Sequence, residues 1–152
     1  MLSGLSAGYS ALKIRMKIRQ DFVSNSSSTS FVIALKGEFT KDNFFKAMGI
    51  SNKMLFPSLF EEMFKVINRK KQTVKKFLAD SHYDTFDDFM DSNEFTDKEI
   101  AFIKQCQKDK WHVFIGEFEN QCYDFMLEWY LCYTSFIVMG DDIFFGKHRD
   151  QI

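Results

Sequence analysis

A tract of small polar residues between two strand-like runs constrains this chain more than any other feature. Six of the seven residues in Ser24–Ser30 are Ser or Thr, and the seventh is Asn. The run Phe31–Leu35 that follows is apolar, partly β-branched and of strand length. Because Ser, Thr and Asn side chains bond to neighbouring backbone groups, we expect an ordered turn here. Its flanks, Phe22–Val23 and Phe31–Ile33, are predicted to lie in paired or neighbouring strands.

The tract has a functional interpretation as well as a structural one. Successive N–H groups of a turn, together with small hydroxyls, can hold a phosphate or a carboxylate. A nucleophilic Ser would need an adjacent base, and the neighbouring sequence supplies none. The alternative is a turn whose polar groups satisfy one another. The candidate ligand-binding residues are Ser24, Asn25, Ser26, Ser27, Ser28, Thr29 and Ser30.

The same region carries a resemblance to known proteins. Met16-Lys17-Ile18-Arg19, followed by the run from Phe22 to Phe31, resembles the opening of small uncharacterised proteins from bacteria and their phages. The resemblance covers Met16 to about Ile33 and implies no particular activity. It implies an accessory protein of a phage or mobile element, with Met16 as the natural start. Residues 1–15 are then expected to be a dispensable extension, or else a short amphipathic arm that docks on a partner.

Composition favours one domain with a large core. The chain has 152 residues, 45% of them hydrophobic, and includes 19 Phe. A net charge of −1 excludes a global basic field that would attract nucleic acid. No apolar run reaches the roughly 20 residues of a membrane-spanning helix. Three Cys without a Cys-x-x-Cys pair argue against a disulfide framework or a zinc knuckle, and favour reduced thiols in the cytoplasm.

Helical periodicity and capping patterns predict five helices. They are Lys41–Met48, a long helix over about 58–79, a short one opening at Thr85, one from Thr96 to about Lys108, and one from Gln121 to about Tyr133. Trp111–Phe118 is predicted to be a central strand, since it is apolar on both faces. Gly140-Asp141-Asp142 predicts a hairpin between 135–139 and 143–145.

These elements predict an α+β fold. We expect a single small domain over 16–146, with a mixed or antiparallel sheet of about four or five strands packed with several helices. Residues 147–152 are expected to form a frayed tail.

Two clusters suggest ligands of opposite charge. The second half of the long predicted helix is basic and could contact a phosphate backbone, although a solvated helix face is the commoner cause of such a run. Its residues are Arg69, Lys70, Lys71, Lys75 and Lys76. His82 with Asp84, Asp87 and Asp88 has the donor types of a metal site. Acidic helix starts explain this pattern better, so we expect no metal ion and no cofactor.

Three further sets of residues have a catalytic or binding interpretation beside an ordinary one. Glu117 with Asp141 and Asp142 would suit acid–base chemistry, but Asp pairs are ordinary in turns. A Cys122–His112 pair would make a nucleophile, whereas a buried Cys is commoner. The third set is aromatic and suits a pocket for a planar ligand, an oligomer interface or core: Trp129, Tyr130 and Tyr133.

The favoured function is therefore that of a small cytoplasmic binding or interaction protein. Its partner would be another protein or a second copy, contacted through an aromatic surface. The alternative is a nucleotide- or phosphate-ligand-binding protein, or a small enzyme, that uses the Ser/Asn-rich loop as an anion cradle.

Overall fold

Six strands and six helices make up the described part of the chain. The computed structural model describes residues 13–18, 28–51, 57–119 and 126–148. The strands are β1 (Lys13–Ile18), β2 (Ser28–Leu35), β3 (Gln72–Thr73), β4 (His112–Glu119), β5 (Thr134–Met139) and β6 (Ile143–Lys147). The helices are α1 (Lys41–Met48), α2 (Pro57–Lys70), α3 (Val74–Asp80), α4 (Phe86–Ser92), α5 (Asp97–Lys108) and α6 (Met126–Cys132).

The strands form one antiparallel sheet in the order β1-β5-β6-β2-β4-β3. This confirms the α+β fold class. The predicted hairpin is confirmed as β5–β6, with the Gly140 N–H donating to the Ile143 carbonyl at 2.8 Å. The two-residue β3 is a strand that the sequence did not predict. It pairs with β4 only at Phe114 and Ile115, so β4 is interior for a short stretch and otherwise near the edge.

Strand β2 is the centre of the packing. Phe31–Leu35 pairs with β4 along its whole length and with β6 from Val32 onwards, and each of its five side chains is 0% exposed. Alternate residues of the run enter different cores. Phe31, Ile33 and Leu35 belong to the first core cluster, whereas Val32 and Ala34 belong to the second. The unbroken apolar run therefore reflects a strand that is covered on both faces.

Each face of the sheet has its own helices. The first core cluster includes residues of α1, α2 and α6, among them Phe44, Ile67 and Leu131. The second includes residues of α3, α4 and α5, among them Phe77 and Ile103. Most of the aromatic excess in this sequence fills these two separate cores.

Threonine caps set where four of the helices begin. Thr40, Thr73, Thr85 and Thr96 are extended, and each hydroxyl accepts the backbone N–H three residues on, at 3.1–3.2 Å. The capping box predicted at Thr96 and Glu99 is present in full. Helix α2 begins at Pro57, so Ser58 lies in its first turn.

The prediction of one long helix over 58–79 is wrong, because two separate helices lie there. Helix α2 ends at Lys70, and Thr73 caps α3. Between them, Gln72 and Thr73 pair with the edge of the sheet. The chain here passes from the first face to the second, which an unbroken helix could not do. The apolar spacing continues across the break, so periodicity alone conceals it.

Both predicted terminal segments reach into the sheet. Lys13–Arg15, which belong to the segment expected to be dispensable, pair with β5 within β1. That expectation stays a prediction. Deleting the residues before Met16 would remove half of the edge strand β1. At the other end, Lys147 is the last residue of β6 and is fully buried, so the predicted tail begins one residue later. Its ammonium group donates to the Cys132 and Thr134 carbonyls, which offsets part of the cost of burying the charge.

Several predictions fall on residues that the structure does not describe. Phe22–Val23 and most of the polar tract lie outside the described residues, as does the first part of the helix predicted from Gln121. In the sheet, β1 and β2 are separated by β5 and β6. Across the described ranges, no helix has the length and apolar character needed to cross a membrane.

We predict that Gly116→Ala destabilises the protein by about 1–3 kcal/mol, the usual cost of overpacking a core. A Cβ at Gly116 would lie 2.6 Å from Cε1 of Phe31 and 3.0 Å from the Lys70 carbonyl oxygen. Chemical denaturation measures the loss. The neighbouring Glu117 is exposed, so Glu117→Ala is the control and should change stability by less than about 0.5 kcal/mol. Equal effects of the two substitutions would contradict the packing described here.

Candidate functional site

The candidate site is a cleft where the second core ends. Val32 pairs with Ile115, and both belong to the second core cluster. Two residues further along, Ser30 pairs with Glu117. Side chains two apart in a strand share a face, so Ser30 and Glu117 continue this face as polar residues. The apolar surface therefore stops, and a polar wall begins, at the end of β2 and β4.

The opposite wall comes from the end of α3 and the residues after it. Asp80, Ser81, His82 and Tyr83 line an open cleft of about 350 Å³ together with Ser30, Gln72, Phe77 and Glu117. This volume is at the lower end of the range for small-molecule sites, which suits a small ligand or a single side chain of a partner.

Aromatic rings form a layered base for the cleft. The rings of His82 and Tyr83 lie 4.2 Å apart between centroids, and Tyr83 stacks at 6.5 Å on the buried Phe77. Phe89 of the second core contacts both Phe77 and Tyr83 edge-on, at 5.0 and 5.3 Å. The core thus fixes the Tyr83 ring at the boundary between apolar interior and open cleft.

The polar groups of the cleft differ in whether they already hydrogen-bond to other residues of the protein. The Ser81 hydroxyl donates to the Leu78 carbonyl and accepts the Tyr83 N–H, so it completes the end of α3. Apart from the aromatic rings, four lining side chains make no hydrogen bond or ion pair with any residue that the structure describes: Ser30, Gln72, Asp80 and Glu117.

Only two residues of the predicted anion cradle have described side chains, and they face different ways. The Thr29 hydroxyl donates to the Cys132 carbonyl at 3.1 Å, which ties β2 to the end of α6. Ser30 lines the cleft. Ser24–Ser27 lie outside the described residues, and nothing is described of the Ser28 side chain. The cradle stays a prediction.

The predicted basic stretch is divided by the break between α2 and α3. Arg69 and Lys70 contact Glu128, at 3.2 and 3.6 Å. Lys71 lies over the rings of Phe39 and Phe114, with centroid distances of 5.1 and 5.2 Å. Lys75 and Lys76 extend from α3 as exposed groups.

Glu128 is a buried charge that sequence reasoning missed. Its side chain is 0% exposed, and it accepts the Glu119 N–H at 2.9 Å in addition to the two cations. It joins α2, α6 and the end of β4, so we interpret it as structural. The sequence indicates this buried role only by placing a charged residue within the most apolar predicted helix.

The histidines are separated in space. His82 belongs to the cleft, whereas the His112 Nδ1–H donates to the Gly37 carbonyl at 2.5 Å. His148 contacts Glu99 at 2.8 Å and packs against Phe95. Asp87 of the candidate metal set pairs instead with Lys104. Among the residues described, no three His, Cys, Asp or Glu side chains converge as metal ligands.

The other predicted clusters do not assemble. The Lys36 N–H bonds to the Asp142 carbonyl at 2.9 Å, which places Asp142 beside Leu35 and its partner His112. Glu117 lies five residues further along β4, roughly 17 Å away. The acid–base alternative for Glu117, Asp141 and Asp142 is therefore excluded, because strand geometry puts Glu117 and the two Asp residues at opposite ends of β4.

The thiols and aromatic residues are mostly buried. Burial, with Asp109 nearby, raises the pKa of Cys106 to about 12, so this thiol is protonated and unreactive. Cys132 is also buried and free, and Cys122 lies outside the described residues. Of the predicted aromatic pocket, Tyr130 is 39% exposed, Tyr133 packs against the first core, and nothing is described of the Trp129 side chain.

Comparison of the chain with protein-family models, with curated proteins and with solved structures gives no match. The candidate function therefore depends on the cleft.

We predict that the ionised Glu99 carboxylate stabilises the protein and that this stabilisation is lost in acid. Burial alone would raise the pKa of Glu99, but hydrogen bonds from His148 and the Thr96 N–H outweigh it and lower the pKa below 4.5. A lowered carboxyl pKa gives stability that is present above the unfolded pKa and is lost as pH falls through the folded pKa. Wild type should therefore lose more stability than Glu99→Gln between about pH 5 and about pH 3.

Denaturation midpoints at both pH values measure this difference. Glu38→Gln, in an exposed turn, is the control and should follow wild type. Parallel losses in wild type and Glu99→Gln would contradict the predicted role of this carboxylate.

Proposed function

We propose that this protein is a small cytoplasmic binding protein that holds its ligand, or part of a partner, in the cleft. The observation that carries the proposal is the set of four unengaged polar side chains above a fixed aromatic base: Ser30, Gln72, Asp80 and Glu117. These side chains line a concave site without bonding to the described fold, so they are available to a ligand.

Binding is better supported than catalysis. The Ser81 hydroxyl is engaged with the backbone at the end of α3, and Cys106 is a protonated, buried thiol. Within the described ranges, no hydrogen bond joins a Ser, Thr or Cys nucleophile to a His, Asp or Glu base in the cleft. Such a pair is the usual signature of nucleophilic catalysis.

The cytoplasmic assignment is supported by Cys106 and Cys132, the two cysteines in the described ranges, which are both free, since oxidising compartments favour disulfides. The role as an accessory protein of a phage or mobile element is proposed from the resemblance at Met16–Phe31 alone. A partner protein, or a second copy, remains the proposed class of partner. Binding of nucleic acid has less support, because Glu128 already pairs with Arg69 and Lys70.

A phosphate ligand is the second candidate, and one observation favours it. Ser30, the last residue of the polar tract, lines the cleft, so a ligand there would lie beside the proposed cradle. The charge of the described lining opposes it, because Asp80 and Glu117 are both acidic. The two candidates therefore differ in the charge of the ligand that they predict.

We predict that small polar fragments bind the cleft in preference to the rest of the surface. Amide shifts of the labelled protein should change most at residues 30, 72, 80–83 and 117. The second cleft, of about 200 Å³ and lined by Phe102, Trp111 and Asp141 among others, is the internal control. Inorganic phosphate and nucleotides form a separate set of probes.

Fragment shifts at the second cleft alone, or at neither cleft, would contradict the proposed function. Shifts at residues 24–30 with phosphate, together with a higher melting temperature, would favour the anion cradle over the first candidate.

A further inference from the structure

We propose that the cleft recognises a guanidinium group, carried by an arginine side chain of a partner segment or by a small guanidinium compound. This inference rests on the proposed function and adds the chemical class of the ligand. Charge, hydrogen bonding and ring geometry each support it from separate features of the cleft.

The first support is charge. Asp80 and Glu117 stand on opposite walls, one at the end of α3 and one on β4, and both are exposed. No Lys or Arg is among the described lining residues, and neither carboxylate has an ion pair with a described residue. A cation between the two walls would neutralise both carboxylates.

The second support is the number of acceptors. Besides two carboxylates, the cleft offers the Gln72 amide oxygen and the Ser30 hydroxyl oxygen, which no described residue engages. A guanidinium has five N–H donors in one plane and no acceptor, so it can use several of these oxygens together. An ammonium group has three donors directed from a single point, so it can engage fewer of them.

The third support is the aromatic base. Tyr83 lies between His82 and Phe77, with interplanar angles of 32° and 18°, so the exposed His82 is the outer ring of the stack and the one that a ligand would meet. Guanidinium groups stack flat on aromatic rings, and the attraction grows where water is excluded. Phe89 contacts Phe77 and Tyr83, so these two rings are held in place before a ligand arrives. A fixed site loses little conformational entropy on binding.

The test uses three blocked tripeptides, Gly-Arg-Gly, Gly-citrulline-Gly and Gly-Lys-Gly, with ethylguanidinium as the free small molecule. Citrulline has the shape of arginine without its charge, so it isolates the contribution of charge. Binding is measured from amide shifts at residues 30, 72, 80–83 and 117. We expect the Arg peptide to bind and the citrulline peptide to bind at least about tenfold more weakly.

Matched variants identify the groups responsible. Glu117→Gln and Asp80→Asn remove charge with little change in shape, and each should weaken binding of the Arg peptide about two- to fivefold, as expected for an exposed ion pair. Asp142→Asn, in the hairpin turn at the far end of the sheet, is the control and should bind like wild type. Because neither cleft carboxylate is buried or paired, both variants should keep the wild-type melting temperature.

The outcomes separate this inference from the proposed function. Neutral or anionic fragments at the cleft, without the Arg peptide, would overturn the guanidinium site and leave the binding function standing. Equal binding of the Arg, Lys and citrulline peptides, or unchanged binding by both variants, would also overturn it. A cleft that binds no probe would overturn both proposals. Ethylguanidinium binding as tightly as the Arg peptide would support the site and assign it to a small molecule.

Discussion

The burial of β2 on both faces is the constraint on which the rest of the structure depends. Five consecutive side chains, Phe31–Leu35, are removed from water, and each burial of this kind contributes on the order of 1.5–3 kcal/mol for a large residue. Burial on both faces requires helices on both faces. It also requires the chain to pass around the edge of the sheet between α2 and α3. The edge strand β3 and the cap at Thr73 provide that passage.

The cleft follows from where this burial stops. The residues of β2 alternate between the two cores until Ser30, which faces the second core but is polar. Its partner Glu117 is polar as well, so α3 has no apolar surface to cover there. Helix α3 ends at Asp80, and the cleft lies between its end and the polar residues of β2 and β4. The proposed site is therefore a consequence of strand register, with the aromatic core as its base.

Local signals predicted much of the fold and little of the site. The run Phe31–Leu35, the caps at Thr85 and Thr96 and the Gly140 turn are local features, and each predicted its element. The break at Gln72 was hidden because helical spacing continues across it. The buried Glu128 and Lys147 depend on partners far away in sequence. The cleft joins β2, β4 and the residues after α3, which no spacing rule brings together.

Native-state hydrogen exchange tests the central role of β2 most directly. The account predicts that the amides of Val32, Ile33 and Ala34 exchange only through global unfolding, with the slowest rates in the protein. The Ser30 and Glu117 amides, at the open end, should exchange faster through local opening. Faster amide exchange at Val32–Ala34 than in the β5–β6 hairpin or in α5 would contradict the account. In that case β2 would not be the element that holds the two cores together.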